Sequence, residues 1–508
     1  MSDPTWQLIA IVLYFAAMVG IGVWSFTRTG DKGDYMLGGR GLGPLASALS
    51  AGASDMSGWL LMGLPGALYL SGLVELWIAI GLTAGAWLNW KFVAPRLRTH
   101  TEVADDAITV PSFFSKRTHD HAGMLRITAG IIILVFFTFY VSSGMVAGGR
   151  FFQASFDTSY TTGMLIVAGV VVLYTLIGGF LAASYTDVVQ GLMMVTALVL
   201  VPIMGVVHLG GLGETVDAIR AVDAGALSLF GGGLTAMAFV SAIAWGLGYP
   251  GQPHIITRFM ALQSPRQARS ARRIGIGWMA LACLGAAATA LVGIGVFQRE
   301  SDRLTDPETV FIDLGVLLFH PFIAGLMLAA ILAAIMSTIS SQLIVSSSAL
   351  VEDIYLGATG KELRGNAGAH LGRAAVLVIA LVAGVLSIDP SDTILDLVAF
   401  AWAGFGASFG PIVILSLYWR RLTTWGALAG MVTGAVVSFG WGQLEGGVFD
   451  LYEIVPGFFL SLAAAVVVSL VTPGPERAAV DQFDEALRRA GADEGSAPAA
   501  SRGASVDA

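Results

Sequence analysis

The chain has 508 residues, of which 27 are lysine or arginine and 35 are aspartate or glutamate, so its formal net charge is -8. Charged residues make up 12% of the chain and hydrophobic residues 56%, whereas soluble domains carry about 25% charged residues. This composition excludes a disordered chain and a nucleic-acid-binding protein, and the single cysteine excludes a disulfide-bonded secreted fold. It is typical of a protein embedded in lipid.

Apolar stretches recur between residues 6 and 472, and each is long enough to cross about 30 Å of hydrocarbon as a helix. They predict an all-α integral membrane protein with about 13 transmembrane helices. The predicted spans are 6–26, 43–70, 73–94, 125–153, 160–183, 187–209, 232–260, 274–297, 314–345, 371–389, 393–418, 425–441 and 454–472. The loops between them are short, which indicates a single helical bundle.

Positive charges are distributed unevenly between alternate loops. If the N-terminus lies outside, 23 of the 27 lysines and arginines fall on the inner side. Cytoplasmic loops carry an excess of these residues, so we predict a multi-pass protein of the inner (cytoplasmic) cell membrane with an outside N-terminus and a cytoplasmic C-terminus. The tail from residue 473 is predicted to form a short helix near 476–490 followed by disorder, and we assign it no function.

The second span contains a polar segment at mid-membrane depth. Residues 50–59 read SAGASDMSGW, with three hydroxyl groups, two glycines and the carboxylate of Asp55. Glycine tolerates conformations that interrupt a helix. A carboxylate at this depth costs several kcal/mol unless it has a partner, and by default indicates a functional site.

The seventh span has a comparable interruption. Residues 245–254 read WGLGYPGQPH and include three glycines and two prolines. Unpaired backbone within the membrane is tolerated only where it lines a cavity or is buried in protein. Two such spans in corresponding positions of two halves are typical of an inverted-repeat transporter whose site lies at the breaks. The alternative is two kinked packing helices without a ligand.

The ninth span introduces adjacent hydroxyl groups into an apolar run, AAIMSTISSQ at 333–342. A serine in a membrane helix usually bonds to a carbonyl of its own helix, and this alternative would account for Ser340 or Ser341. Hydroxyls facing carbonyls freed around Ala53 and Met56 would instead form a cage of oxygen atoms. Hard cations require oxygen ligands, so the sequence favours a sodium site here.

At these residues the sequence resembles the sodium/solute symporter family, most closely its proline-transporting members. The resemblance is carried by 34–40, 47–72, 174–190, 245–261, 331–348 and 401–411. It implies a five-plus-five inverted-repeat core of the LeuT type, formed by spans two to eleven. The corresponding divisions are 1–42, the core at 43–418, two further helices at 419–472 and the tail at 473–508.

The resemblance also implies the residues that contact each ligand. Sodium would be held by the carbonyl oxygens of Ala53, Met56 and Ala334 and the hydroxyls of Ser337 and Thr338, with Asp55 coupling it to the substrate. Proline would lie against Ser57, Gly58, Trp59, Tyr140, Trp245, Tyr249 and Pro253. Trp402 is a weaker candidate for a gate. Flat aromatic walls suit a pyrrolidine ring, although core packing or the interface belt is the alternative for each aromatic residue.

These features together predict a sodium-coupled symporter that imports L-proline by alternating access, with no enzymatic activity and no cofactor beyond the coupling ion. The alternative is a transporter of the same fold for another small amino acid or organic solute. A channel would conduct ions without saturable solute uptake, and a membrane enzyme would need an acid-base or metal set that the sequence does not display.

The remaining charges near the spans have simpler explanations. Arg40, Glu75 and Asp187 fall at predicted span ends, where snorkelling or capping would account for them. The seven histidines lack the spacing of a motif such as HExxH. We expect His254 to make a local hydrogen bond.

Overall fold

The computed structural model describes residues 3–26, 37–231, 234–297, 303–361, 367–389 and 392–495. Within these ranges the regular elements are helices, accompanied by one isolated β-bridge between Leu42 and Leu262. The α-helices are α1 (Asp3–Phe26), α2 (Pro44–Met56), α3 (Gly63–Ser71), α4 (Leu76–Leu88), α5 (Ala94–Val103), α6 (Val110–Thr118), α7 (Met124–Phe156), α8 (Tyr160–His208), α9 (Leu212–Val222), α10 (Ala236–Ala244), α11 (Pro253–Met260), α12 (Ala268–Phe297), α13 (Val310–Leu318), α14 (Pro321–Ser348), α15 (Leu356–Thr359), α16 (Ala367–Leu386), α17 (Ile394–Tyr418), α18 (Thr424–Trp441), α19 (Ile454–Val471) and α20 (Arg477–Gly495). The predicted all-α class is confirmed.

The outer surface of the bundle is apolar, as lipid contact requires. Eight segments of the described helices are long and apolar enough to cross a membrane. Large side chains such as Leu173, Leu381 and Val436 point outward and are 64%, 70% and 64% exposed. A surface of this kind would aggregate in water, so the chain is a multi-pass membrane protein. The count of 13 crossings and the inverted repeat stay predictions.

Two predicted boundaries differ from the structure. Spans five and six are two helical parts of α8, and they meet at a break at Gly179 (φ 73°) and not at the predicted loop near 184–186. The ninth span begins at Pro321, because the apolar run before it belongs to the separate helix α13. Proline suits the first turn of a helix, where its missing N–H leaves no bond unmade. The prediction followed the apolar residues on both sides and did not use the signals at these points, Gly179 and the His320–Pro321 pair.

The centre of the bundle is formed by α14, which packs against α1, α2, α7 and α8. Its residues from Leu328 to Leu343 are all buried. A helix without an exposed polar stripe is expected in such a central position. The serines and threonine of α14 therefore face other helices and not solvent.

Both predicted interruptions are present in the structure. Helix α2 ends at Met56, and a short 3-10 turn at Gly58–Leu60 leads to α3. Helix α10 ends at Ala244, a 3-10 segment covers Trp245–Gly251, and α11 starts at Pro253. The second 3-10 segment crosses α4 at close range, and both breaks lie inside the bundle. This arrangement positions the candidate site.

Candidate ion and substrate site

The break after α2 is held open by a contact with α14. Ser57 has φ 38° and ψ -166°, a conformation that non-glycine residues rarely adopt and that surrounding contacts must stabilise. Its backbone N–H donates to Oγ1 of Thr338 at 3.0 Å, and its hydroxyl accepts from the N–H of Trp59 at 3.3 Å. The interrupted second span and the polar segment of α14, which lie in different halves of the sequence, therefore meet at Ser57.

A cluster of oxygen atoms lies beside this break. The Ser337 hydroxyl is placed to donate to the carbonyl oxygen of Ala53 at 2.8 Å and to that of Ala334 at 3.0 Å. Oγ1 of Thr338 is 3.5 Å from the same Ala53 oxygen. Met56, the last residue of α2, is also fully buried. The structure thus brings four of the five predicted sodium ligands together and places the fifth at the adjoining helix end.

Of the two neighbouring serines, Ser340 fits the packing alternative, and Ser341 fits neither explanation that the sequence left open. The Ser340 hydroxyl donates to the Ser337 carbonyl of its own helix at 3.2 Å, as a packing serine does. Ser341 instead accepts from the guanidinium of Arg258 at 2.6 Å. Only Ser337 and Thr338 reach the freed backbone of α2.

Asp55 connects the oxygen cluster to the aromatic side chains. Its carboxylate, 3% exposed, accepts a hydrogen bond from the Tyr249 hydroxyl, and its backbone carbonyl accepts one from the Tyr140 hydroxyl at 3.3 Å. None of the ion pairs in the described part of the chain involves Asp55. A buried carboxylate without a basic partner is costly, and a bound cation nearby would offset that cost.

The aromatic residues of both breaks form one closed cluster. The rings of Trp59 and Trp245 are 6.1 Å apart, and Tyr249 meets Trp402 edge-on at 5.1 Å. Trp402 Nε1 donates to the Trp245 carbonyl at 2.8 Å, and a Cβ on Gly248 would collide with its indole ring. These four aromatic side chains are at most 5% exposed. Trp402, the weaker sequence candidate, is therefore packed directly within this closed cluster.

The remaining predicted substrate contacts lie at the edges of the cluster. Tyr140 packs edge-on against the His254 ring at 5.9 Å. A Cβ on Gly58 would come within 2.8 Å of the Ala147 side chain, so the backbone is closely covered there. Pro253 starts α11 and lines a narrow cavity with Thr257 on the far side of the break. Its contact with substrate stays a prediction.

The expected local hydrogen bond of His254 is not formed by its side chain. The ring is fully buried between aromatic residues, and neither ring nitrogen has a partner in the described part of the chain. Only the backbone carbonyl of His254 accepts a bond, from Arg258 at 2.6 Å. The expectation was wrong because the ring lies against Phe137 and Tyr140, which offer it apolar faces.

A buried ion pair lies close to the site and was misinterpreted from the sequence. Asp187 is not at a span end but inside the part of α8 that follows the Gly179 break. It is fully buried and accepts from the Ser50 hydroxyl at 2.6 Å and from Arg258 at 3.4 Å. Arg258 also donates to Ser50 at 3.1 Å. The sequence did contain a signal for this pair, because Asp187 and Arg258 stand in separate apolar spans and charges within a membrane usually pair with one another.

Arg40 fits the capping alternative and not the snorkelling one, because it bonds to the carbonyl at the end of α11. Its guanidinium forms an ion pair with Asp106 at 2.7 Å and donates to the carbonyl oxygens of Met260 at 2.8 Å and Ala107 at 3.0 Å. Burial lowers the pKa of Arg40, and the carboxylate of Asp106 opposes that shift. The side chain thus joins three segments at one end of the bundle and does not snorkel towards solvent.

Comparison with known proteins identifies relatives over nearly the whole chain. A family model described as sodium:solute symporter family matches residues 35–434. The high-affinity proline transporter PutP of Bacillus subtilis (strain 168) is 55% identical over 469 residues, which cover 92% of this chain and 98% of that protein. The sodium/proline symporter of Staphylococcus aureus (strain JH9) is 49% identical over 488 residues, covering 93% and 94%.

Solved structures share the fold at much lower identity. The substrate-bound, outward-open structure of a Na+-coupled sialic acid symporter matches with a TM-score of 0.77 and 18% identity, covering 93% of this chain and 99% of that one. MHP1, a nucleobase-cation-symport-1 family transporter, matches with a TM-score of 0.52 and 15% identity over 90% and 99%. At these identities the similarity concerns the helix arrangement alone.

Proposed function

The chain belongs to the sodium:solute symporter family, and from this premise we propose that it imports L-proline together with sodium across the cytoplasmic membrane. Its relatives at 49–55% identity are named as proline transporters and cover almost its entire length. The observation that carries the proposal is the break at Ser57. This residue contacts Thr338 of the oxygen cluster through its N–H and Trp59 of the aromatic cluster through its hydroxyl.

Sodium occupies the oxygen cluster in this proposal. Its ligands are the carbonyl oxygens of Ala53, Met56 and Ala334 and the hydroxyls of Ser337 and Thr338. The Ser337 hydroxyl, whose one hydrogen lies within reach of the Ala53 and Ala334 carbonyls, would turn this hydrogen away and present its lone pairs to the ion. Neutral carbonyls and hydroxyls suit a monovalent hard cation, and the nearby carboxylate of Asp55 favours positive charge in this buried region.

Proline occupies the space beside the aromatic cluster. Its contacts are Ser57, Gly58, Trp59, Tyr140, Trp245, Tyr249 and Pro253. The indole faces supply apolar walls for the pyrrolidine ring, and backbone N–H groups freed at the break are suited to bind its carboxylate. Asp55 couples the two ligands, because its backbone and side chain bond to Tyr140 and Tyr249 of the substrate region.

Transport follows from movement of the helices around this shared break. Sodium enters from outside, orders the chain around Ser57 and thereby improves the pocket for proline. The core of residues 43–418, arranged as an inverted repeat, then closes on the outer side and opens to the cytoplasm. In this conformation the aromatic residues are almost fully buried, which is consistent with a site closed to solvent.

The energetics of a 1:1 cycle support strong accumulation. Zwitterionic proline adds no net charge, so each cycle moves one positive charge inward, worth about 2.3 kcal/mol at a potential of about 100 mV. A tenfold sodium gradient adds about 1.4 kcal/mol. The sum, about 3.7 kcal/mol, corresponds to a proline gradient on the order of 500-fold.

The decisive experiment is uptake of labelled L-proline into proteoliposomes that contain the purified protein. An inward sodium gradient should produce saturable accumulation above the external concentration, whereas replacement of sodium by choline should abolish it. Other amino acids and small organic solutes are then added as competitors. Sodium-independent uptake would contradict the coupling, and stronger competition by another solute would identify that solute as the substrate in place of proline.

A further inference from the structure

The C-terminal helix α20 folds back onto the same end of the bundle as α5 and α6. Ala479, Phe483 and Ala486 recur at helical spacing on one face of α20 and are at most 3% exposed. An apolar stripe of this kind is buried when a helix docks. The tail, which was assigned no function from the sequence, is therefore a docked element of the structure as far as residue 495.

Two polar contacts hold the docked helix in place. The guanidinium of Arg117, at the end of α6, lies 4.4 Å from the centre of the Phe483 ring, a cation–π contact. Asp484 of α20 forms an ion pair with Arg420, which follows α17. Because Phe483 is anchored two turns into α20, the start of the helix is also held against the bundle.

Glu476 lies at the start of this docked helix. Its carbonyl oxygen accepts from the N–H of Val480 at 3.1 Å, which continues the helical pattern. Its carboxylate lies between two imidazoles of the loop that joins α6 and α7. His121 Nε2 is 3.1 and 3.4 Å from the two carboxylate oxygens, and His119 Nδ1 is 3.8 Å from one of them.

The loop presents both imidazoles from an ordered backbone. His119 ends α6 in the left-handed conformation, with φ 55°. Asp120 donates its N–H to the Ser115 carbonyl at 2.9 Å, and its carboxylate accepts from the N–H of Leu125 at 2.7 Å, in the first turn of α7. These bonds fix the backbone of the residue between the histidines, so both imidazoles start from an ordered loop.

The three side chains have the composition and spacing of a transition-metal site. All three ligand atoms lie within 4.8 Å of one another. Ligands bound to zinc at about 2.0–2.2 Å with tetrahedral angles lie roughly 3.4 Å apart. Oε2 of Glu476 is 3.4 Å from His121 Nε2 and 3.8 Å from His119 Nδ1, which is close to this spacing. Imidazole ligands favour zinc and its neighbours over magnesium or calcium, which prefer oxygen ligands only.

We propose that His119, His121 and Glu476 bind a divalent transition metal, and that the bound ion fixes the C-terminal helix to the loop between α6 and α7. Three protein ligands leave a fourth position for water, so the site is open on its exposed side. The ion would join segments that are separated by 355 residues in sequence. Proline transport does not enter this inference, and its test is independent of uptake.

Calorimetric titration of Zn²⁺ into the purified full-length protein in detergent tests the site. We expect one zinc ion per chain, and His121→Gln and Glu476→Gln should each weaken binding at least tenfold, because each removes one of three ligands. The matched control is His370→Gln, an exposed histidine elsewhere on the surface, which should bind as the unaltered protein does. Equal unfolding midpoints of the zinc-free variants confirm that the fold is retained.

Hydrogen exchange of residues 477–490 tests the attachment of the tail. Exchange from a docked helix requires local opening, so Zn²⁺ should slow it in the unaltered protein and in His370→Gln but not in His121→Gln or Glu476→Gln. If Glu476→Gln binds zinc as tightly as the unaltered protein, or if zinc leaves the exchange of the tail unchanged, the proposal is overturned. Failure of zinc to bind overturns it equally.

Discussion

Ser337 and Ser408 are both fully buried serines of long apolar helices, but their hydroxyls make different contacts. The Ser408 hydroxyl donates to the Gly404 carbonyl of its own helix at 2.6 Å. Ser337 bonds within its helix too, but it also reaches the Ala53 carbonyl of α2 at 2.8 Å. Only the contact between helices distinguishes a candidate ligand from a packing residue.

Removal of the Ser337 or Thr338 hydroxyl should therefore weaken sodium binding. Ser337→Ala and Thr338→Ala each remove one oxygen ligand, and we expect the sodium concentration for half-maximal proline uptake to rise at least tenfold, with selectivity among competing solutes unchanged. Ser408→Ala is the matched control and should leave the sodium requirement as it is. A change in selectivity without a change in sodium requirement would place the ion elsewhere.

Glu308 provides a pH-dependent contribution to stability outside the spans. It forms an ion pair with Arg150 and accepts from the N–H of Ile394 at 2.9 Å. Burial raises its pKa from about 4.5 to about 7, and the guanidinium of Arg150 opposes the shift. Between these values the folded chain holds a proton that the unfolded chain releases, so the free energy of unfolding decreases as pH rises through this window.

Glu308→Gln should remove this dependence. We expect the unfolding midpoint of the unaltered protein to decrease as the pH is raised from 5 to 8. The decrease should be smaller in Glu308→Gln because glutamine does not titrate. Burial also raises the pKa of Glu453 to about 7, so the difference between the proteins is the relevant quantity. Glu214→Gln, at an exposed position, should show the same decrease of the midpoint with pH as the unaltered protein. An equal decrease in all three proteins would contradict the prediction.

At the scale of elements, the seventh-span break depends on a close crossing with α4. A Cβ built on Gly81 would lie 2.5 Å from the Ile243 carbonyl oxygen, and one built on Gly85 would collide with the backbone of Gly246. Small residues allow membrane helices to approach this closely. The position of Trp245 next to Gly246 is thus determined partly by glycines of another helix.

Gly85→Ala should disturb this crossing more than its single methyl group suggests. The methyl group meets backbone, which cannot rotate away, so the helices must separate. We expect a lower unfolding midpoint and slower proline uptake. Gly277→Ala in α12, where a Cβ meets no atom within 4 Å, should lower neither the unfolding midpoint nor the uptake rate, since alanine favours helix over glycine. Equal losses in both variants would contradict the explanation by close packing.

The interruptions of elements were predictable, whereas several of their boundaries were not. Glycine and proline at 245–254 act on the local backbone, so the break there was visible in the sequence. The division between α13 and α14 was not predicted, although Pro321 stands at it, because the prediction joined the apolar residues on both sides into one span. Likewise α8 continues through the predicted loop near 184–186, where no strong helix breaker stands.

At the scale of the molecule, the Asp187–Arg258 pair joins four helices. Asp187 lies on α8 and Arg258 on α11, and their hydrogen bonds extend to Ser50 of α2 and Ser341 of α14. Removal of one partner from a buried pair leaves an uncompensated charge, which typically costs about 3–5 kcal/mol. Replacement of both partners by neutral groups costs much less.

Arg258→Met should therefore lower the unfolding midpoint strongly, and Asp187→Asn combined with Arg258→Met should recover part of the loss. Unfolding midpoints in detergent measure both effects. Arg269→Met, at an exposed position, is the control and should be close to neutral. A double variant less stable than Arg258→Met alone would show that the hydrogen bonds, and not the unpaired charge, dominate at this junction.

The sequence by itself determined the class of the protein, its two interrupted helices and the family to which its motifs belong. These follow from hydropathy and from glycine and proline, which change the backbone conformation at their own positions. Only the tertiary structure decided that Asp187 meets Arg258, and that Ser341, 83 residues further along the chain, bonds to the same guanidinium. Such contacts depend on the rotation and crossing of whole helices, because a side chain finds its partner only after distant segments have packed.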